Sequence, residues 1–395
     1  MKQGWEIKKL GEIGKVSMCK RVFKEDTTPE GDIPFYKIGT FGKSPDAFIT
    51  KAKYDEFRSK FSFPKNGDIL ISASGTIGRR VRYDGEPAYF QDSNIVWIDN
   101  DEKQVLNDYL YRFYEICNWK STKGATISRL YNDNLKQIEI PFPKSLPEQQ
   151  RIVSILDECF ASIAKAKANA EQNLKNAKEL LDVFLHKYFT NKEEGWEEKK
   201  LKDVAEYFNG LTYSPKDVSD KGIIVLRSSN IQDDKLDFAD IVRVTSAVKE
   251  KIIVRDGDIL MCSRNGSKRL VGKTAPIENL PEQMTFGTFM MIIRSEYNPY
   301  LLWFFKSLDF KKQISGGENT MINQITRYML DDVIVSFPPI AKQLEIVQQL
   351  DAIYNESQKL ESIYQKKLTD LEELKKSILQ KAFAGELKTE KAVAV

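Results

Sequence analysis

The chain has 395 residues, 41% hydrophobic and 30% charged, with a formal charge of +3 and one histidine; at about 150 residues per domain this predicts two or three ordinary globular domains. No stretch reaches the roughly 18 apolar residues of a membrane span and the start, MKQGWEIKKL, has no apolar targeting core, so an untargeted cytoplasmic protein with no membrane association is expected. Cys19, Cys117, Cys159 and Cys262 lie too far apart for a disulfide framework or metal-ligand spacing, which predicts reduced thiols and no metal site. The small net charge means that a polyanion partner must be sought in local clusters of cations.

In chain order, the elements come twice. Gly4-Trp5-Glu6-Ile7-Lys8-Lys9-Leu10 opens the chain and returns as Gly195-Trp196-Glu197-Glu198-Lys199-Lys200-Leu201. A predicted strand at Gly67-Asp68-Ile69-Leu70 returns at Gly257-Asp258-Ile259-Leu260, Tyr109-Leu110 at Tyr300-Leu301, and the apolar run 138–143 at 333–338. Glu148-Gln149-Gln150-Arg151-Ile152-Val153 returns as Lys342-Gln343-Leu344-Glu345-Ile346-Val347. The order is kept and the offset stays near roughly 190–195 residues, the signature of a tandem duplication. Within each copy, β-branched and aromatic runs alternate with Gly, Pro, Asn and Asp turns, which predicts a mixed, β-rich globule.

Each copy ends in a predicted long helix. In the first, Ile152, Leu156, Cys159, Ile163, Ala166, Ala170, Leu174, Ala177, Leu181, Phe184 and Tyr188 form one apolar face at steps of three and four. The matching frame in the second is Ile346, Leu350, Ile353, Ser357, Leu360, Tyr364, Leu368, Leu371, Lys375, Ile378 and Ala382, apolar except at Ser357 and Lys375. A helix of about 64 Å with one apolar stripe needs a partner, and the other copy's helix, packed antiparallel, is the simplest one. The predicted class is α+β, with globules at 1–145 and 191–339, long helices at 146–190 and 340–386 forming an antiparallel coiled-coil-like rod, and a tail at 387–395.

Catalytic signatures are missing. Gly266 to Thr274 ends in Gly-Lys-Thr but has one residue too many for a phosphate loop, and Ala275-Pro276 follows where a helix should start. His186 has no nucleophile or carboxylate at a telling spacing, and Gly-x-Gly-x-x-Gly and His-Glu-x-x-His are absent. No catalytic residue, metal ligand or cofactor site is expected on this chain.

Three loop sets per copy carry the types that meet nucleic acid. After the Gly-Asp-Ile-Leu strands come Ser72, Ser74, Thr76, Arg79, Arg80 and Arg82 in the first copy, and Ser263, Arg264, Asn265, Lys268, Arg269 and Lys273 in the second. Lys37, Thr40 and Lys43 pair with Arg227, Ser228, Ser229 and Asn230; Ser128, Arg129 and Asn132 pair with Asn323, Gln324 and Arg327. Hydroxyls and amides donate to phosphate, and Arg, Asn and Gln also read base edges, so these are the predicted DNA contacts, with Arg79 and Arg264 each expected to strengthen binding to its own half-site, through a base edge or a phosphate. A solvated hairpin turn, or Asn132 or Asn323 acting as a helix cap, would explain some of the same residues. The frame residues match between copies while these side chains differ, as two scaffolds reading two different sequences would.

Taken together, the chain resembles the specificity subunit of Type I restriction-modification systems. The resemblance rests on the Gly-Trp-Glu openings, the Gly-Asp-Ile-Leu strands, the Pro-Phe-Pro and Phe-Pro-Pro exits, Pro147-Glu148-Gln149-Gln150-Arg151 at the start of the central helix, and Gln380-Lys381-Ala382-Phe383-Ala384-Gly385 at the end of the last. It implies two target-recognition domains, each binding half of a bipartite, asymmetric double-stranded DNA target, with the helices setting their separation. It implies two modification (methyltransferase) subunits and restriction (translocase/endonuclease) subunits as partners, with S-adenosylmethionine, ATP and Mg on those partners. A second class, a non-catalytic scaffold whose helical hairpin and globules bind other proteins, explains the helices but not the divergent polar loops.

Overall fold

The computed structural model describes residues 3–119, 122–123, 128–191, 193–315 and 324–387, with the backbone alone at Thr122, Lys123 and Ser128. It contains two compact units, residues 1–170 with 366–395, and residues 171–365, so each long helix contributes one end to each unit.

The repeated motifs turn out to be one another's partners. In the first copy Trp5–Lys9 pairs antiparallel with Glu139–Pro143, and in the second Glu197–Lys200 pairs with Ile334–Phe337. Opening and exit thus form a two-stranded ribbon that joins the two ends of each copy. Gly4 and Gly195 start these ribbons at φ +82° and +89°, values that suit glycine. The repeated tyrosine holds the exit strand, Tyr109 donating to the Pro141 carbonyl at 3.0 Å and Tyr300 to that of Ser336 at 2.9 Å. The repeated glutamine does the same from the helix start, where Gln149 donates to the Pro143 carbonyl at 2.8 Å and Gln343 to that of Pro338 at 2.8 Å.

Each copy contains a four-stranded antiparallel sheet. Its order is Gly14–Ser17, Ile95–Asn100, Ile69–Ser72, Arg80–Arg82 in the first copy, and Glu206–Asn209, Met290–Arg294, Ile259–Cys262, Thr274–Pro276 in the second. Ile69–Ser72 and Ile259–Cys262 are inner strands buried at every residue, which is why they read as continuous apolar runs rather than alternating ones. The preceding Gly-Asp makes the turn into them. Gly67 and Gly257 sit at φ +91° and +89°, and the next carboxylate accepts a backbone N–H from Lys65 (2.8 Å) or Arg255 (2.9 Å). A second sheet, three-stranded in the first copy and four-stranded in the second, contains one parallel pair, Ile33–Tyr36 with Tyr89–Phe90 and Ile223–Leu226 with Met284–Phe286.

The long helices run Leu146–Thr190 and Ile340–Phe383. In the first unit Ile152, Val153 and Leu156 share a core with Leu379, Ala382 and Phe383, while Lys167 pairs with Glu372. Rising numbers on one helix meet falling numbers on the other, so the pairing is antiparallel. The second unit repeats this, with Ile346 and Leu350 against Leu181, Leu185 and Phe189, and Ala177 against Ser357. The expected face, including Ile163, Leu174, Leu181, Phe184, Ile353, Leu360, Leu368, Leu371 and Ile378, is buried or half-buried throughout. Its deepest residues past Leu181 are Leu185 and Phe189 rather than Phe184 and Tyr188, because Tyr300 and Phe304 of the globule receive the Phe189 ring.

The two breaks in the stripe have specific partners. Buried Ser357 donates to the Ala177 carbonyl of the facing helix at 2.6 Å, where a small residue on each side lets the backbones approach. Lys375 reaches Glu115 at 3.2 Å and lies over the Phe160 ring. All four cysteines are free, and burial pushes the Cys19 and Cys117 thiols up to about 12, which keeps them protonated and unreactive. Among the described residues no helix is long and apolar enough to cross a membrane.

Candidate nucleic-acid interface

The hairpins after the two inner strands are built alike. In the first copy Ser72 N donates to Arg79 O and Gly78 N to Ser72 O; in the second Cys262 N donates to Lys273 O and Gly272 N to Cys262 O. Gly78 and Gly272 hold φ +83° and +86° at the same step. Arg79 and Lys273 are therefore equivalents, and both turn inward. Arg79 donates to the Phe41 and Ile38 carbonyls at 2.9 and 3.1 Å, and Lys273 to the Ile231 carbonyl at 2.7 Å. Each fastens the neighbouring loop instead of reaching outward, a direction the sequence does not reveal.

The remaining cations differ between copies. In the first, Arg80 pairs with Glu115 at 2.7 Å and lies over Tyr111, Arg82 pairs with Asp108, and Lys37 pairs with Asp46 at 2.8 Å. The Glu115 side chain is only 7% exposed and also meets Arg112 at 2.8 Å and Lys375 at 3.2 Å. Burial works to raise its carboxyl, and Arg112, Arg80 and Lys375 outweigh this, holding it below the ordinary glutamate range. Lys43, Thr76 and Arg129 are exposed, Arg129 lying 5.9 Å from the centre of the Tyr131 ring. Ser72 and Ser74 are buried in local hydrogen bonds, to Thr76 O and Asn94 Oδ1, and Thr40 accepts from Lys37 N to close its turn.

In the second copy Arg264, Lys268, Arg269, Gln324 and Arg327 are exposed, and among the described residues none of these four cations has an ion pair. Arg264, Gln324 and Arg327 line one groove of about 650 Å³ with Asn209, Phe289 and Tyr328. Arg227, Ser228 and Ser229 line a second, of about 730 Å³, that shares Phe289. Asn265 Nδ2 donates to Ser228 Oγ at 3.0 Å and ties the two loops together. Arg227 is paired with Asp240 at 2.8 Å, Asn230 is buried against the Asp237 and Asp240 carbonyls, and Ser263 donates to Phe289 O.

The third loop joins the same edge in each copy, through isolated bridges Ser74↔Arg129 and Arg264↔Gln324. Asn132 is the first residue of a short helix whose N-cap position is Tyr131, so it does not take the capping role considered for it above, and Thr326 caps the helix opening at Arg327 by accepting from Met329 N. Asn323 itself lies outside the described residues, as do Thr126 and Ile127. The sequence reading missed a fourth loop, 91–94 in the first copy and 287–289 in the second, which follows the parallel strand and sits against the hairpin through Ala73 N to Asn94 O and Ser263 N to Phe289 O. Its position after a repeated aromatic was the one available signal, since its residues are unlike.

Gly266 to Thr274 does not form a phosphate loop. A strand, Thr274–Pro276, follows it, Thr274 is buried and the Lys273 amine is occupied by Ile231 O. Exposed His186 contacts Thr190 at 3.1 Å. Among the described residues no cluster of His, Cys, Asp or Glu has the geometry to hold a metal.

Residues 2–175 and 193–369 each match the model of the Type I restriction modification DNA specificity domain. The chain belongs to this family. A putative type I restriction enzyme specificity subunit of Haemophilus influenzae is 63% identical over 153 residues, covering 39% of this chain and 40% of that protein, so the match spans less than half of the relative's length. A type I specificity subunit of Methanocaldococcus jannaschii is 23% identical over 421 residues, covering 98% and 93%. A solved chain from a study of complex assembly and conformational transition of the type I R-M system shares the fold, with TM-score 0.78 at 18% identity over 98% of this chain and 99% of that one. Two tandem specificity domains thus account for the duplicated sheets, ribbons and loops.

Proposed function

We propose that this chain is the sequence-reading subunit of a Type I restriction-modification complex, each copy reading one half of a bipartite, asymmetric double-stranded DNA target. The observation that carries this reading is the contrast between a shared frame and unlike loops. The same ribbon, tyrosine, glutamine and hairpin bonds recur in both copies, while the exposed corner presents Arg129 and Lys43 in one and Arg264, Gln324 and Arg327 in the other. Two frames dressed with different base-reading types suit two half-sites. A protein-docking scaffold requires no such difference.

On this reading the chain is non-catalytic and acts in the cytoplasm, where it meets chromosomal DNA. The helix pair sets the gap between half-sites and docks two modification subunits, with restriction subunits beyond them. Val183, Leu344, Ile363 and Leu374 are large apolar residues left 63%, 56%, 49% and 47% exposed on the long helices, which supports docking there. S-adenosylmethionine, ATP and Mg would be held by the partners. Genome-wide mapping of adenine methylation, with this gene present and deleted, tests the proposal. Loss of one split, asymmetric motif is expected, and identical maps would count against it.

A further inference from the structure

One contact recurs at the same place in both copies with different chemistry. Ala73 N donates to Asn94 O at 2.7 Å and Ser263 N to Phe289 O at 3.0 Å, which makes Asn94 and Phe289 equivalent and, one residue on, Ser74 and Arg264 equivalent. Ser74 and Arg264 also share the bridge to the third loop. At that corner Ser74 Oγ donates to Asn94 Oδ1 at 2.8 Å, whereas the Arg264 guanidinium lies over the Phe289 ring, 5.6 Å from its centre. The geometry is kept while a hydrogen bond is exchanged for a cation–π contact. Phe289 is 55% exposed, so core packing does not explain an aromatic ring there.

We propose that Arg264 and Phe289 form a specificity-determining unit of the second recognition domain. The exposed hairpin residue Arg264 meets a base edge, and the fourth-loop residue Phe289 is a positioning residue that fixes its direction; the first copy's equivalent pair is closed on itself, Ser74 being buried against Asn94. This rests on the DNA-reading function above. An unconstrained arginine fork loses much rotamer freedom on binding; a ring beneath it confines the fork before DNA arrives. The corner is rigid enough for that role, because the Phe289 carbonyl accepts from Ser263 N, Arg264 N and Ser263 Oγ at 3.0, 3.1 and 3.0 Å. An arginine fork matches the O6 and N7 acceptors of guanine, so the half-site read by the second copy contains a guanine opposite Arg264.

The test is selection of bound sequences by the full chain, assembled with its modification subunits, from duplex DNA randomised at every position. The wild type should enrich a two-part motif. Arg264→Ala should weaken guanine preference at one position of one half by about tenfold, and Phe289→Ala should weaken that same position by about two- to fivefold. Phe289→Trp should retain it. The double change Arg264→Ser with Phe289→Asn should alter the preferred base there and leave the other half intact, which also serves as the folding control. If Phe289→Ala leaves the motif unchanged, or weakens all positions of its half equally, the pairing idea is overturned. Absence of any two-part motif from the wild type would overturn the DNA-reading function itself.

Discussion

The two hairpins that follow the inner strands have similar sequences in outline and opposite electrostatic outcomes. In the first copy Arg79, Arg80 and Arg82 all find partners inside the protein, at the Ile38 and Phe41 carbonyls, at Glu115 and at Asp108. In the second, Lys273 alone of the hairpin cations turns inward, and Arg264, Lys268 and Arg269 face solvent. The position equivalent to Glu115, three residues past the matched Arg112 and Trp303, is Lys306, which pairs with Asp234 and lies over Trp303 and Tyr354. The helix attachment keeps its place across this exchange, since Arg112 and Trp303 each donate to an aspartate about three turns into the long helix, Asp157 and Asp351. A cluster of cations in a sequence therefore locates a loop without fixing which way its charges point.

The largest effect should come from removing the acid that neutralises the first copy. Glu115→Gln leaves Arg80, Arg112 and Lys375 without their shared carboxylate and should destabilise the first unit by about 2–4 kcal/mol in denaturant titration. Because the Glu115 carboxyl is held below its unfolded value, its contribution is present above the unfolded pKa and lost as pH falls through the folded one. Wild-type stability should thus decline on acidification more steeply than that of Glu115→Gln. Equal acid sensitivity of the two proteins would show that this cluster does not stabilise the fold.

Next, combining Arg264→Ala, Lys268→Ala and Arg269→Ala should flatten the slope of log affinity against log salt by about 2–3, against less than about 1 for Arg80→Ala with Arg82→Ala. Similar slopes from the two sets would erase the proposed difference between the copies. Arg79→Ala should cost about 1–2 kcal/mol of stability by orphaning two carbonyls, and weaken the first copy's half-site without changing its preferred bases; a change of preferred base would return Arg79 to the reading surface. Smallest of all, Ser357→Ala should cost about 0.5–1.5 kcal/mol in thermal unfolding through the lost bond to Ala177, with DNA preference unaltered.

Much of the frame was legible because its repeated motifs encode reciprocal contacts. Gly-Trp-Glu and Pro-Phe-Pro recur together because they pair as strands, and Tyr109 and Gln149 recur because they hold the same exit strand. The helix stripe was legible for its period, and its final turn drifted because the globule, not the facing helix, decides where Phe189 is buried. Side-chain direction was not legible. The partner of Arg79 lies about forty residues upstream and that of Arg80 in the turn after the helix Asn107–Phe113, so no local pattern announces either. Asn94 and Phe289 escaped notice because equivalent places hold unlike residues, and likeness is what a repeat search detects.

The ribbon between the opening and exit strands has an evolutionary corollary. Trp5 lies opposite Pro143, so the chain enters and leaves the first recognition globule at neighbouring points before the central helix begins, and the second copy is closed in the same way. A segment with adjoining ends is an interchangeable cassette, replaceable through recombination at its borders by another of different length while the helical residues keep their register. On the DNA-reading function proposed above, two such cassettes in one chain would let new target combinations arise by shuffling existing halves rather than inventing whole proteins.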